Sequence, residues 1–362
     1  MTGVALEPVS VVIAGCGAVT KLFYAPALAH LEDCGLVKVA ALVDPHDSNR
    51  RTIQSHFHEA IGVAKLDHAP LGKGTLVIIA SPPGLHAAQS IHALERGATV
   101  LCEKPMAATS AETQSMLDAT VRTGQFLAIG HYKRFMPAHR AVKHFIVHQT
   151  FGSLWEIEIA EGGKFGWPAT SDSFFRKEQT SGGVLLDIGV HVLDLLLWWL
   201  GEPTTFTYAD DARDGLEANC LLTAEFPQRG LTDMSPVSIR VQLSRDWATP
   251  NCYVFRFERA TVHCRVNASN QLELTLDGLP MTFAAELRDP LPPQPAPSTS
   301  ALETNAQAFI AQLVDVCAAI REHRAPLITG EDGARVIRWI ERCYATRKSI
   351  QQPWLAPIAS CI

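Results

Sequence analysis

The sequence predicts an α/β domain built on a doubly wound parallel sheet, followed by an α+β domain with a mainly antiparallel sheet. Three observations predict this. Between Val9 and Ile129 short apolar runs alternate with amphipathic stretches, the signature of strands and helices alternating around a parallel sheet. Two glycines, Gly15 and Gly17, close the first of these runs, where a strand would turn into a helix. Beyond Gly130 the rhythm changes to alternating apolar and polar residues, as in antiparallel strands with one covered face. The chain has 362 residues, and domains of roughly 100 to 200 residues are the default. The change of rhythm divides it into 1–131 and 132–362, with the closing helix at 332–348 able to pack back on the first domain.

The first-domain strands are read at Val9–Ala14, Val37–Val43, Leu76–Ala80, Thr99–Cys102 and Phe126–Ile129. Helices are read between them at about Lys21–Glu32, Ser48–Phe57, Leu85–Arg96 and Ala111–Thr123. Right-handed crossovers then place a ligand crevice at the C-terminal ends of the strands. A helix near Ala138–His148, a strand Leu154–Ala160 and a polar, Gly-rich loop to Ser181 open the second domain. Asn219–Phe226, Val237–Ser244, Cys252–Phe257 and Ala260–Asn267 read as its further strands. The proline-rich 289–300 reads as a surface strap. In the closing helices Phe309, Ile310, Leu313, Val314, Cys317 and Ile320 share one face, as do Val336, Ile337, Ile340 and Tyr344.

Composition narrows the partners. A net charge of −6 with no basic cluster excludes a phosphate-rich nucleic acid. Val190–Leu200 is the longest strongly apolar stretch, far below the roughly 20 residues that span a bilayer. The amino terminus lacks a basic start and a cleavage site, so a cytoplasmic protein is expected. Nine cysteines without CxxC or zinc spacing read as reduced, small apolar residues, and no metal site is expected.

Gly15, Gly17 and Thr20 fill the three positions of a GxGxxG turn, with threonine at the third. Glycine allows the tight turn at the first position and close approach of a pyrophosphate at the second. The following helix start, with Ala18 and Val19, offers N–H groups to an anion. Asp44 ends the second strand, where a carboxylate can accept both ribose hydroxyls and would repel a 2′-phosphate. That favours NAD, while Arg50 and Arg51 leave NADP open. Ser81, Pro82 and His86 form a rigid rim at the end of the next strand, beside the expected nicotinamide; for His86 a capped first-turn histidine is an equal alternative.

Glu103-Lys104-Pro105 follows the fourth of these runs. Lys104 reads as surface charge, as a partner of Glu103, or as a ligand of substrate and cofactor. Its place at a strand C-terminus favours the last, where an ammonium can stabilise a developing alkoxide. Asp187 and His191 lie four apart in Ser181-Gly182-Gly183-Val184-Leu185-Leu186-Asp187-Ile188-Gly189-Val190-His191, so on a helix they share a face and the carboxylate can tune the imidazole as an acid or base. Glycines 182, 183 and 189 call for close backbone approach. Tyr132, Arg134, Lys164, Trp167 and Arg176 flank these motifs and are candidate sugar contacts; for Trp167 a loop anchor and for Arg176 a surface salt bridge are equal alternatives.

Together these residues resemble the glucose-fructose oxidoreductase and inositol dehydrogenase (Gfo/Idh/MocA) family. The resemblance runs through Gly15-Cys16-Gly17, Tyr24-Ala25-Pro26-Ala27-Leu28, Pro82-Pro83 with His86, Glu103-Lys104-Pro105, Lys133-Arg134-Phe135-Met136-Pro137, Gly182 to His191, and the helix from Gly330 to Tyr344. It implies an N-terminal Rossmann domain and a C-terminal domain whose open sheet often pairs subunits, as a homodimer or homotetramer. The implied reaction is hydride exchange between NAD and a ring hydroxyl or ketone of a sugar or cyclitol, with Glu103 near the cofactor. Lys104, Asp187 and His191 would be the catalytic group: His191 takes the hydroxyl proton, Lys104 holds the oxygen, and Asp187 stabilises the imidazolium. Thr20 and Ser181 depart from the pattern. A non-catalytic sensor of NAD or sugar, and an NAD-using glycosidase, are the alternatives.

Overall fold

A computed structural model describes residues 7–168, 180–212, 215–228, 236–268, 270–287 and 301–350, the last without the side chains of 301–304. Two compact units make up the chain. The first holds 1–136, 168–171 and 290–338, and the second 137–167, 172–289 and 339–362.

The first unit is a six-stranded, all-parallel sheet of order β3-β2-β1-β4-β5-β6: β1 Val9–Ala14, β2 Val37–Val43, β3 Ile61–Val63, β4 Thr75–Ile79, β5 Thr99–Cys102 and β6 Leu127–Ile129. The central strands β1, β4 and β5 are apolar almost throughout, as strands covered on both faces must be. The crossovers are α1 Ala25–Asp33, α2 Asp47–Gln54, α3 His86–Glu95 and α4 Ser110–Thr123. α4 begins in a capping box, Thr109 and Glu112 exchanging bonds with each other's backbone N–H, and ends on left-handed Gly124.

The sequence missed β3, which is only three residues long with a glycine in the middle and Ile61 exposed; it pairs in parallel with Ala41–Val43. The expected helix from Lys21 begins instead at Ala18 and passes through a π-turn, Thr20–Tyr24, before α1. Pro26 explains the turn. It has no N–H to give and its ring would crowd the carbonyl one turn back, so the chain widens by one residue and Ala25 N–H bonds Thr20 O.

The second unit contains α5 Pro137–His148, α6 Val190–Leu200 and a nine-stranded sheet. Its strands are β7 Leu154–Gly162, β8 Thr205–Asp210, β9 Asn219–Phe226, β10 Val237–Ser244, β11 Cys252–Phe257, β12 Ala260–Arg265, β13 Gln271–Leu276, β14 Thr282–Glu286 and β15 Lys348–Ser349. The order is β14-β13-β12-β11-β7-β10-β9-β8-β15, antiparallel except for β7 with β10 and β8 with β15. α6 is buried along almost its whole length. Trp199 packs edge-on to Phe255, ring centroids 5.1 Å apart, and its indole N–H donates to His139 O at 3.1 Å. The Lys143 ammonium donates to the Trp198 carbonyl near the end of α6, where carbonyls lack helical partners.

α7 Ala301–Glu322 lies in the first unit, and α8 Gly330–Ala345 runs from the first into the second at Trp339. Phe309, Ile310, Leu313 and Cys317 of α7 enter the core formed with β1 and α1. The proline-rich 289–300 lies outside the described residues.

Candidate active site

The first unit gathers its polar loops at the C-terminal ends of β1, β2, β4 and β5. Gly15 follows β1 with φ +100°, and a Cβ there would lie 2.5 Å from Ala80 C, Ala80 O and Ser81 N. Only glycine lets the ends of β1 and β4 meet this closely. The Thr20 hydroxyl, fully buried, donates to Gly15 O at 2.6 Å. Threonine at the third position therefore helps to close the turn. Gly17 differs from Gly15: a Cβ on it would meet nothing within 4 Å. Ala18 and Val19 begin the helix, and the first N–H groups of a helix have no partner within it. An open glycine before unsatisfied N–H groups fits a dinucleotide pyrophosphate.

The buried carboxylate of Asp44 accepts Cys16 N–H at 3.0 Å and His46 N–H at 2.8 Å, joining the end of β2 to the glycine turn. Burial, with Asp44 beside it, pushes the Cys16 thiol up to about 12, so it stays protonated. The Arg50 guanidinium is drawn to the Asp44 carbonyl and to Asp47, and Arg51 also pairs with Asp47 at 2.6 Å.

At the end of β4 the Ser81 hydroxyl donates to Gln89 at 2.7 Å and Pro82 is exposed. His86, expected at the cofactor rim, is held by backbone oxygens. It is buried, and its ring nitrogens lie 2.8 Å from Pro105 O and 2.8 Å from Ser81 O, so the ring ties the β4 loop to the Lys104 turn. Burial lowers its pKa.

Glu103 is likewise spent on the protein. Its Oε1 accepts the Tyr24 hydroxyl at 2.7 Å, its Oε2 accepts Lys104 N–H at 3.0 Å, and a Cβ on Gly130 would lie 2.8 Å from Oε1. Burial, above all, raises its carboxyl pKa. Lys104, half-buried, follows directly at the edge of the sheet.

In the second unit the chain is helical from Val184, with a π-turn at Leu185–Gly189 leading into α6, so Asp187 and His191 lie on one continuous helical segment. Glu217 caps its start. Its carboxylate accepts Gly183 N–H at 2.9 Å and Leu185 N–H at 3.1 Å, and its carbonyl accepts Val184 N–H at 2.9 Å. Tyr344 of α8 donates to the same carboxylate at 2.7 Å. Here lie the close approaches the glycines called for: a Cβ would come within 2.0 Å of Glu217 O from Gly183, 2.2 Å of the Tyr344 hydroxyl from Gly182, and 2.7 Å of Leu185 Cδ1 from Gly189. Asp187 Oδ2 accepts Arg245 Nη2 at 3.0 Å. His191 is buried, as is Asp194.

The substrate candidates separate. Tyr132 stacks on Phe309, centroids 4.7 Å apart, and buried Arg134 pairs with Asp332 at 3.1 Å. Both contacts lie within the first unit. Lys164 and Trp167 are exposed in the loop after β7, and Arg176 lies outside the described residues. Sequence reasoning missed Tyr24 as the partner of Glu103, and it missed Glu217 and Arg245 altogether. The Tyr24-Ala25-Pro26 run was a signal for the first; the other two belong to no motif. Among the described residues there is no cluster of three metal-ligating side chains, and no helix is long and apolar enough to cross a membrane.

The fold and the glycine turn define a protein with a dinucleotide-binding domain followed by a mixed-sheet domain. Residues 9–131 match the model of an oxidoreductase family with an NAD-binding Rossmann fold, and 139–266 match the GFO/IDH/MocA C-terminal domain. The chain belongs to the Gfo/Idh/MocA family. It is 31% identical over 182 residues to the rhizopine catabolism protein MocA of Rhizobium meliloti, 49% of this chain and 54% of that protein. It is 29% identical over 202 residues to D-glucoside 3-dehydrogenase of Escherichia coli strain K12, 54% of this chain and 55% of that protein. The chain thus spans just over half the length of these curated relatives. In fold it is similar to levoglucosan dehydrogenase in complex with NADH and L-sorbose, with TM-score 0.79 and 18% identity over 94% of this chain and 97% of that one.

Proposed function

We propose that this protein is an NAD-dependent dehydrogenase or reductase acting on a ring hydroxyl or ketone of a sugar or cyclitol. The observation that carries the reading is the C-terminal edge of the first sheet. There an open Gly17, the Asp44 carboxylate and the Lys104 turn stand on β1, β2 and β5 of one parallel sheet. Gly15, Gly17, Ala18, Val19, Asp44, Ser81 and Pro82 would hold the dinucleotide, and bound nicotinamide supplies the hydride acceptor or donor. Asp44 favours the unphosphorylated ribose of NAD over NADP, and Arg50, drawn to the Asp44 carbonyl and Asp47, is not poised for a 2′-phosphate.

In the oxidation direction His191 takes the proton of the substrate hydroxyl. The Lys104 ammonium stabilises the alkoxide that forms, and Asp187 supports the charged imidazole. Lys164 and Trp167, exposed after β7, are proposed sugar contacts, with Arg176 beyond the described residues. The similar D-glucoside 3-dehydrogenase is by name an enzyme of this kind, which supports the reading. Self-association as a dimer or tetramer through the nine-stranded sheet is part of the same proposal.

A panel of sugars and cyclitols tested for NAD+ reduction checks the reading. Lys104→Ala and His191→Ala are each expected to lower turnover by roughly 100-fold or more while leaving NAD+ affinity near wild type. Equal turnover in both variants and wild type would remove the assignment.

A further inference from the structure

We infer that Arg245 is a positioning residue for Asp187, an inference that rests on the function proposed above and adds a residue that no motif marks. Arg245 follows β10 directly, and its backbone is fixed on both sides: its N–H donates to Ala218 O at 2.8 Å and its carbonyl accepts Phe165 N–H at 2.7 Å. Its guanidinium lies 5.7 Å from the centroid of the Phe165 ring and donates to Asp187 Oδ2 at 3.0 Å. The side chain is buried, at 8% exposure against 22% for Asp187.

A buried guanidinium needs an anion, and its rigid fork fixes the direction from which a carboxylate is held. The backbone carrying Asp187 is fixed independently, because Glu217 takes the N–H groups of Gly183, Val184 and Leu185. Glu217 adjoins Ala218, the residue that anchors Arg245. One junction between β9 and β10 therefore sets both the helical segment and the carboxylate on it. In this role Arg245 acts through Asp187, whose carboxylate it holds in place.

The test is a double-mutant cycle in the full-length protein, read on the sugar or cyclitol that gives the highest rate with NAD+. Arg245→Met is expected to lower kcat by about 10- to 100-fold with NAD+ affinity unchanged. Arg245→Lys should recover at least part of that loss by keeping the charge. Asp187→Asn should be impaired, and adding Arg245→Met to it should cost no more than about 2-fold further, since the arginine acts through the lost carboxylate. Melting curves of all four variants separate loss of turnover from loss of fold, and Arg245→Lys is the variant to rely on if Arg245→Met does not fold. With Asp187→Asn impaired, wild-type turnover in Arg245→Met overturns the inference alone, as does a further loss in the double variant as large as in Arg245→Met by itself. If Arg245→Met does not fold, Arg245→Lys no faster than Asp187→Asn overturns it. Wild-type turnover in Asp187→Asn overturns the role proposed for Asp187 and the inference with it.

Discussion

Gly15 and Gly17 belong to one turn, yet the structure assigns them opposite sensitivities, and a pair of alanine substitutions separates fold from ligand. In Gly15→Ala the new methyl would stand 2.5 Å from three backbone atoms of the β4 end, where ordinary contact begins at 3.4 Å, so that strand end must yield by roughly 0.9 Å. The φ of +100° adds strain for any side chain. Positive-φ strain of about 1–2 kcal/mol and overpacking of about 1–3 kcal/mol sum to about 2–5 kcal/mol. That lowers Tm by about 4–20 °C for a unit of this size. In Gly17→Ala the methyl meets nothing within 4 Å, so stability should change by less than about 1 kcal/mol. It would stand where a pyrophosphate must approach, and NAD+ affinity should fall by about 10-fold or more. Thermal melts with and without NAD+ read both effects, because a ligand that binds the folded state raises Tm by mass action. A wild-type melt for Gly15→Ala, or a wild-type NAD+-induced shift for Gly17→Ala, would refute the reasoning.

Three further outcomes follow from the buried polar groups. Tyr24→Phe removes a donor from the buried Glu103 carboxyl and should cost about 1–3 kcal/mol in urea denaturation; an unchanged midpoint contradicts it. Arg134→Ala should lower stability by breaking the pair with Asp332 while leaving substrate KM unchanged, and a KM effect with no change in stability would restore it as a sugar contact. Glu217→Gln tests linkage. Burial, foremost, raises the Glu217 carboxyl above its ordinary 4.5, so the folded state holds the proton more tightly than the unfolded one. The stability it contributes is present in acid and lost as pH rises above about 4.5. Glutamine does not titrate there, so the Tm of wild type minus that of Glu217→Gln should fall between about pH 5 and pH 8, and a rising or level difference contradicts the assignment.

The first sheet was legible because strands buried on both faces must be written as apolar runs, and β1, β2 and β5 begin and end where the runs do. β3 was not, being three residues long with glycine in the middle. β13 and β14 escaped for a different reason. β14 is exposed at every position, so no covered face imposes a pattern on it. Within the candidate site, placements set by local geometry could be read: the Gly15 turn, Asp44 after β2, Lys104 after β5, and Asp187 and His191 on one helical segment. Glu217 and Arg245 act by tertiary closure, each reaching a segment more than thirty positions away, and such pairings leave no local mark. His86 and Arg134 stood in suggestive positions, but burial directs one to carbonyl oxygens and the other to Asp332.

Hydride transfer itself is the central claim, and isotope transfer tests it most directly. A sugar or cyclitol that reduces NAD+ is prepared with deuterium on the carbon bearing the oxidised hydroxyl, and the nicotinamide product is examined by mass spectrometry. The account predicts one deuterium on the reduced nicotinamide of each turnover, with formation slowed together in Lys104→Ala and His191→Ala. Substrate turnover that leaves the nicotinamide unlabelled would contradict it.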